Sequence, residues 1–272
     1  MAFIPPSNIS PSGEAADPRR SQLAVGAGAA VLLCVSWAYV IFMAWGMENM
    51  DAVADSLLMP AMTGWDGSDL LLVFFMWAVM MIAMMLPSAM PLLLLVSKIN
   101  HGRFAWKRAL LGTGVFALGY LAVWTGFSAL ATLAQWGLLE ARLVSPMMES
   151  ASPWLSAALL AAAGVYEFTP LKNACLARCR SPLGYLMTGW REGFSGAFAM
   201  GLRHGAYCTG CCWLLMALLF VFGVMNLAWI AALAILVLLE KLLRRPAWFA
   251  PAVGATLLAW GALLTVQAAA LP

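Results

Sequence analysis

Five of the six cysteines fall between positions 175 and 212, in Cys175-Leu-Ala-Arg-Cys179 and Cys208-Thr-Gly-Cys211-Cys212. Read on helices, Cys175 and Cys179 are i and i+4 neighbours on one face, and His204, Cys208 and Cys211 stand at i, i+4 and i+7. At about 100° per residue the last three share an arc of roughly 60°, while Cys212 lies further round, where a neighbouring helix is its alternative partner. Thiol and imidazole donors in one stripe are metal-ligand chemistry. Cysteine sulfur selects copper(I), zinc or iron–sulfur centres, and the spacing leaves the choice among them open. The same cysteine pairs also suit a thiol–disulfide relay. Cys34, alone in an apolar run, reads as a small buried hydrophobe.

Methionine is the second source of soft ligands, with 18 in the chain. Met76, Met80 and Met84 fall on one helical face, with Met81, Met85 and Met90 beside them. Thioether sulfur binds copper(I) but also fills apolar cores, so the stripe reads first as core, and Met80 and Met84 join the candidate ligands behind the cysteines. Met47/Met50 and Met59/Met62 lie in an acidic segment where lipid packing does not demand them. With the cysteines they sketch a soft-metal path from outside to inside. Pro87 and Pro91 free backbone carbonyls within the methionine-rich run.

Other chemistries lack their residues. There is no Walker-type phosphate loop, no G-x-G-x-x-G fingerprint, no H-E-x-x-H and no nucleophile-elbow serine, so neither an enzymatic reaction nor ATP-driven pumping is expected, and no catalytic residue is assigned. The net charge of +3 is carried by residues scattered between apolar runs, which makes them topology signals and excludes a nucleic-acid partner.

The elements that must position these ligands follow from composition. With 64% hydrophobic and 10% charged residues and a mean hydropathy of +0.88, the chain is expected to be an all-α, polytopic membrane helix bundle. Apolar runs at about 23–45, 70–96, 109–137, 154–169, 206–224, 227–240 and 247–271 give seven spans, with six to eight as the range because the run ending at Glu240 is short for a crossing. Residues 1–20, rich in proline and small polar side chains, read as a disordered tail, and 21–272 as a single transmembrane domain.

Three connections are basic: Lys98, Arg103, Lys107 and Arg108, then Lys172, Arg178, Arg180 and Arg191, then Lys241, Arg244 and Arg245. By the positive-inside rule these loops and the N-terminus are cytoplasmic. Arg203 at mid-bilayer would cost about 2.5–3.5 kcal/mol, so it belongs at the inner interface or in a polar cavity, which brings His204, Cys208 and Cys211 close to Cys175 and Cys179. Cytosolic thiols stay reduced, which favours metal ligation over a static disulfide, and Arg178 and Arg180 offer countercharge to thiolates. Gly189, Gly193, Gly201 and Gly205 form two small-xxx-small patterns and predict close helix packing or a break. Glu167 and Glu240 are candidates for proton coupling, with Glu240 equally readable as an interface anchor beside Lys241.

Three longer patterns carry a resemblance. They are Trp77-x-x-Met80-x-x-Ala83-Met84-Met85-x-Pro87, then Tyr166-x-x-Thr169-Pro170-Leu171-Lys172-x-x-Cys175-Leu176-x-x-Cys179-Arg180, then Cys208-x-Gly210-Cys211-Cys212-Trp213. With Gly223-x-Met225-Asn226-x-x-Trp229 and Glu240-Lys241, the chain over most of 70–241 resembles a bacterial family of predicted metal-binding integral membrane proteins. That family is catalogued as a domain of unknown function, and some of its members are labelled copper chaperones. The expectation is therefore a multi-pass protein of the bacterial inner membrane that handles copper(I), with zinc as the second ion to consider. Its candidate metal ligands are Cys175, Cys179, His204, Cys208, Cys211 and Cys212, with Met80 and Met84 behind them. The expected partners are lipid, the metal ion and a metal-donor or metal-acceptor protein.

Overall fold

The computed structural model describes residues 18–49, 65–145, 150–242 and 248–270. Most of the expected tail, the methionines at 50, 59 and 62, and Arg244 and Arg245 lie outside the described residues. Among the described residues ten helices run in order: α1 (Pro18–Glu48), α2 (Gly67–Arg103), α3 (Trp106–Glu140), α4 (Pro153–Glu167), α5 (Pro170–Arg180), α6 (Pro182–Gly189), α7 (Gly193–Ala217), α8 (Leu219–Phe222), α9 (Leu227–Leu242) and α10 (Phe249–Ala270). No strand occurs among the described residues, where the one extended pairing is an isolated bridge between Val144 and Ser150.

Five helices, α1, α2, α3, α7 continued through α8, and α10, are long and apolar enough to cross a membrane. The expected span at 154–169 is a 15-residue helix, α4, that passes the same test only jointly with α5, across a 65° bend. The run at 227–240 forms the 16-residue α9, about 24 Å long against a hydrocarbon core of about 30 Å. The described residues thus give five such helices, or six with the bent pair, where the apolar runs alone indicated seven.

Local sequence explains the boundaries that matter for the site. Asp66 caps α2 by accepting from the backbone amides of Ser68 and Asp69 at 2.8 and 3.0 Å, while Asp69 reaches back to the Asp66 amide at 3.1 Å. The α4–α5 bend sits at Phe168-Thr169, where Thr169 Oγ1 donates to the Tyr166 carbonyl at 2.7 Å and accepts from the Lys172 amide at 3.3 Å, with Pro170 opening the next helix. Gly223, at φ +94°, turns the chain out of α8, and Asn226 Oδ1 accepts from the Trp229 amide at 3.3 Å to start α9.

The centre of the bundle is α2 between α1, α3 and α9, with α7 packed along α3 and α5 against α7. Met76, Trp77, Met80, Met81, Met84 and Met85 are all buried there, which makes the methionine stripe mainly core. The contact of α7 with α3 depends on glycine. A Cβ on Gly201 would overlap the Phe116 carbonyl, one on Gly119 the Phe198 carbonyl, and one on Gly205 would stand 2.9 Å from Val123. The second expected glycine pattern works differently: Gly193, at φ +77°, makes the break that begins α7.

Candidate metal centre

Close approach of α3 and α7 puts Tyr120 within 3.1 Å, Oη to Sγ, of Cys208. Tyr120 has one hydroxyl proton and a second acceptor in reach, the Met85 carbonyl at 3.2 Å. On the other side of the same sulfur, Lys241 Nζ from the end of α9 donates to Cys208 Sγ at 2.9 Å and to Ser88 Oγ at 2.9 Å. Ser88 Oγ in turn donates to the Met85 carbonyl at 2.8 Å. Met85 lies on α2 two residues before Pro87. Cys208 is thus held by α3 and α9, and both of the side chains that hold it are anchored on α2.

The remaining sulfurs gather around it. Cys211 and Cys212 donate to the Cys208 carbonyl at 3.1 and 3.0 Å, the i−3 and i−4 back-bonding open to a short side chain on a helix. Cys212 Sγ stands 4.0 Å from Met85 Sδ, so the cysteine furthest round the stripe faces a thioether on α2. From α5, Cys179 comes close to Cys211, and Cys175 packs on Gly210, where a Cβ would come within 2.9 Å of its Sγ. Tyr166 also donates to the Gly210 carbonyl, so this glycine seats the bent α4–α5 pair on α7. Cys208, Cys211 and Cys212 are buried, Cys175 and Cys179 partly so, and all six cysteines are free thiols. Cys34 is exposed on α1.

His204 reaches the region differently. Its ring stacks on Tyr120 and Phe116, with centroids 5.6 and 6.4 Å away, and tilts against Tyr185 at 5.4 Å. Its Nδ1 is buried without a hydrogen-bond partner. It lines a cavity of about 140 Å³ with Cys179, Lys241, Ser88, Arg180 and Pro91. Among the described residues no three His, Cys, Asp or Glu side chains are arranged to hold a metal ion, so the sulfurs converge as neighbours and pairs, not as a preformed multi-ligand shell. Met80 and Met84 stay within the core of α2, and Met85 is the methionine that meets a cysteine.

A second buried polar group adjoins the first. Lys172 Nζ pairs with Glu240 Oε1 at 2.8 Å and with Glu167 Oε1, and all three side chains are excluded from solvent. Arg180 Nε donates to the Glu240 carbonyl at 2.7 Å, capping the last turn of α9. The basic-loop reading put Lys172 and Lys241 at an aqueous face, but both turn inward, because each finds its partners on another helix. The countercharge expected from Arg178 and Arg180 is instead supplied to Cys208 by Lys241. Tyr120, Ser88 and Lys241 were not among the expected site residues. The signal for the lysine was the adjacency of Glu240 and Lys241 after an apolar run, since an ionisable residue next to such a run is a functional candidate by default. Arg203 is exposed, with Nε 3.3 Å from Tyr207 Oη.

No curated protein and no solved structure matches the chain. A family model described as a copper chaperone matches residues 74–264, a stretch that includes α3, α7 and α9 entire, both cysteine segments and both buried charge groups. Over that stretch, well beyond half of the sequence, this chain belongs to the PpoB2 family of copper chaperones.

Proposed function

We propose that the protein is a multi-pass carrier of copper(I) in the bacterial inner membrane, with its N-terminus and basic connections on the cytoplasmic side, that receives the ion among its buried sulfurs and passes it to an acceptor protein. The observation that carries this reading is the convergence of Cys208, Cys211 and Cys212 with Cys179, Cys175 and the Met85 thioether from three helices, beside a cavity lined by Cys179, His204 and Lys241. Thiolate and thioether donors in a buried setting suit a soft monovalent ion, and Lys241 offers countercharge to a Cys208 thiolate, the form that binds metal. Neighbouring sulfurs in excess of any one coordination shell allow stepwise ligand exchange, which is what a carrier needs and a permanent structural site does not. His204 serves as a wall of the cavity and a reserve ligand.

The test is elemental analysis with free-thiol counting on purified protein and on a variant with Cys175, Cys179, Cys208 and Cys211 changed to Ser. Near-stoichiometric copper in the first and its loss in the second are expected; copper content unchanged in the variant would refute the site. The Cys179–Cys211 proximity favours a second reading, in which this thiol pair oxidises to a disulfide and hands two electrons and two protons to a soluble redoxin. Metal-free protein whose thiols oxidise and reduce reversibly in pairs would move the assignment there.

A further inference from the structure

The buried ammonium beside Cys208 bears on which ion the sulfur cluster accepts. Lys241 is 7% exposed and spends its hydrogen bonds on Cys208 Sγ and Ser88 Oγ. The other buried charges, Glu167, Lys172 and Glu240, bind one another. Glu240 is one residue from Lys241, hence about 100° round α9, and turns to α5 while Lys241 turns to α2 and α7. Among the described residues, Lys241 is therefore the cation in contact with the cysteine sulfur.

In a low-dielectric interior an ion and its ligands are most stable when they and their surroundings sum to no net charge. Cys208 and Cys211 share one turn of α7 and Lys241 touches Cys208, so we take a pair of thiolates as the ligands of one ion. Two thiolates and a monovalent ion sum to one negative charge, which Lys241 cancels. Two thiolates and a divalent ion are already neutral, and Lys241 then stands beside them as an uncompensated positive charge. We propose that Lys241 is a specificity-determining residue that sets the cluster to accept a monovalent soft ion and to reject a divalent one such as zinc. The inference rests on the copper(I) reading above and adds the physical basis of its selectivity. One unit charge about 4 Å away at an effective dielectric near 20 moves an equilibrium about a thousandfold, so even partial screening leaves about a hundredfold in the ratio of the two metals.

The experiment offers the full-length protein in lipid nanodiscs both ions together, anaerobically, copper(I) buffered by a copper(I) chelator and zinc(II) by a zinc chelator. Bound copper and zinc are read by elemental analysis. Lys241→Leu removes the charge without adding a sulfur. Ser88→Asp reaches the same end by another route, keeping Lys241 and setting a carboxylate where its hydroxyl partner stood, so either folded variant decides the matter. Both should shift the bound ratio toward zinc by about a hundredfold, and Lys241→Arg should keep the preference of the parent protein. A structural defect would lower both metals together and leave their ratio alone. An unchanged ratio in Lys241→Leu or Ser88→Asp overturns the role of Lys241 and leaves the copper reading standing. Parent protein that holds neither ion overturns the copper reading, and this inference with it.

Discussion

Replacing Lys172 with Met tests whether buried charge or packing holds the α4–α5 bend against α9. Lys172 and Glu240 are 0% exposed and Glu167 is 2%, so no water can take over when the ammonium goes. At the 2.8 Å separation of Lys172 and Glu240, unit charges attract by about 6 kcal/mol gross at an effective dielectric near 20. Desolvation offsets much of that, and removing one partner of a buried pair costs about 3–5 kcal/mol because the other is left uncompensated. Lys172→Met leaves two carboxylates facing each other, and should therefore destabilise the protein by about that amount. The triple variant Lys172→Met, Glu167→Gln, Glu240→Gln removes every charge in the group and should recover all but about 1–2 kcal/mol, since neutral groups of similar volume often replace buried ion pairs without loss. The assay is unfolding by SDS in mixed micelles, followed by helical circular dichroism and by labelling of Cys208 and Cys211. A single variant as stable as the parent, or a triple variant as unstable as the single, would refute the electrostatic account.

Gly201→Ala forces a methyl group into the Phe116 carbonyl, a backbone atom that cannot step aside. Overpacking of this kind costs about 1–3 kcal/mol, and labelling of Cys208 should quicken as α7 lifts from α3. Gly210→Ala meets the Cys175 sulfur instead, so it should weaken copper retention in a chelator challenge with little change in unfolding. Cys34→Ser, on the exposed face of α1, should leave copper content as it was. The Asp66 carboxyl is held below the usual carboxylate range by the Ser68 hydroxyl, then by the Asp69 and Ser68 amides. A depressed value means the cap contributes above the ordinary carboxylate pKa and is lost as pH falls through the lowered one, so exchange of the Ser68 and Asp69 amides, corrected for intrinsic rates, should rise only in acid and at every pH in Asp66→Ala.

The helical class was legible because composition and run length settle it, and the glycine contact was legible because Gly201 and Gly205 lie four apart on one face. The cysteine segments lie side by side, Cys175 on Gly210, and Met85 was visible within the methionine stripe without any sign that it, not Met84, would face Cys212. What local pattern could not convey was the direction of Lys172 and Lys241. A lysine after an apolar run can stretch back to an aqueous face or turn inward, and the choice depends on partners far away in the chain: Lys172 on Glu240, 68 positions on, and Lys241 on Ser88, 153 positions back. The seven apolar runs meet five or six helices of spanning length among the described residues for a related reason. The α4–α5 bend is encoded at Thr169-Pro170, but whether its two arms count as one span is a matter of geometry, not hydropathy.

The two buried polar groups meet in α9. Glu240 is tied to Lys172 on α5 and Lys241 to Cys208 on α7 and Ser88 on α2, so consecutive residues fix the rotation of one short helix from two sides. Arg180, next to Cys179, holds the Glu240 carbonyl and links the cysteine-bearing α5 to the same turn. A change of ligand at Cys208 that displaces Lys241 must therefore be felt at Glu240 and Lys172, and through Lys172 on the helix that carries Cys175 and Cys179. If the carrier passes its ion between the α7 and α5 sulfurs, this chain of contacts is the route by which occupancy on one side alters the position of the other. Loosening it at Glu240→Gln, with every sulfur in place, should alter the rate at which copper leaves for a chelator more than the amount initially bound.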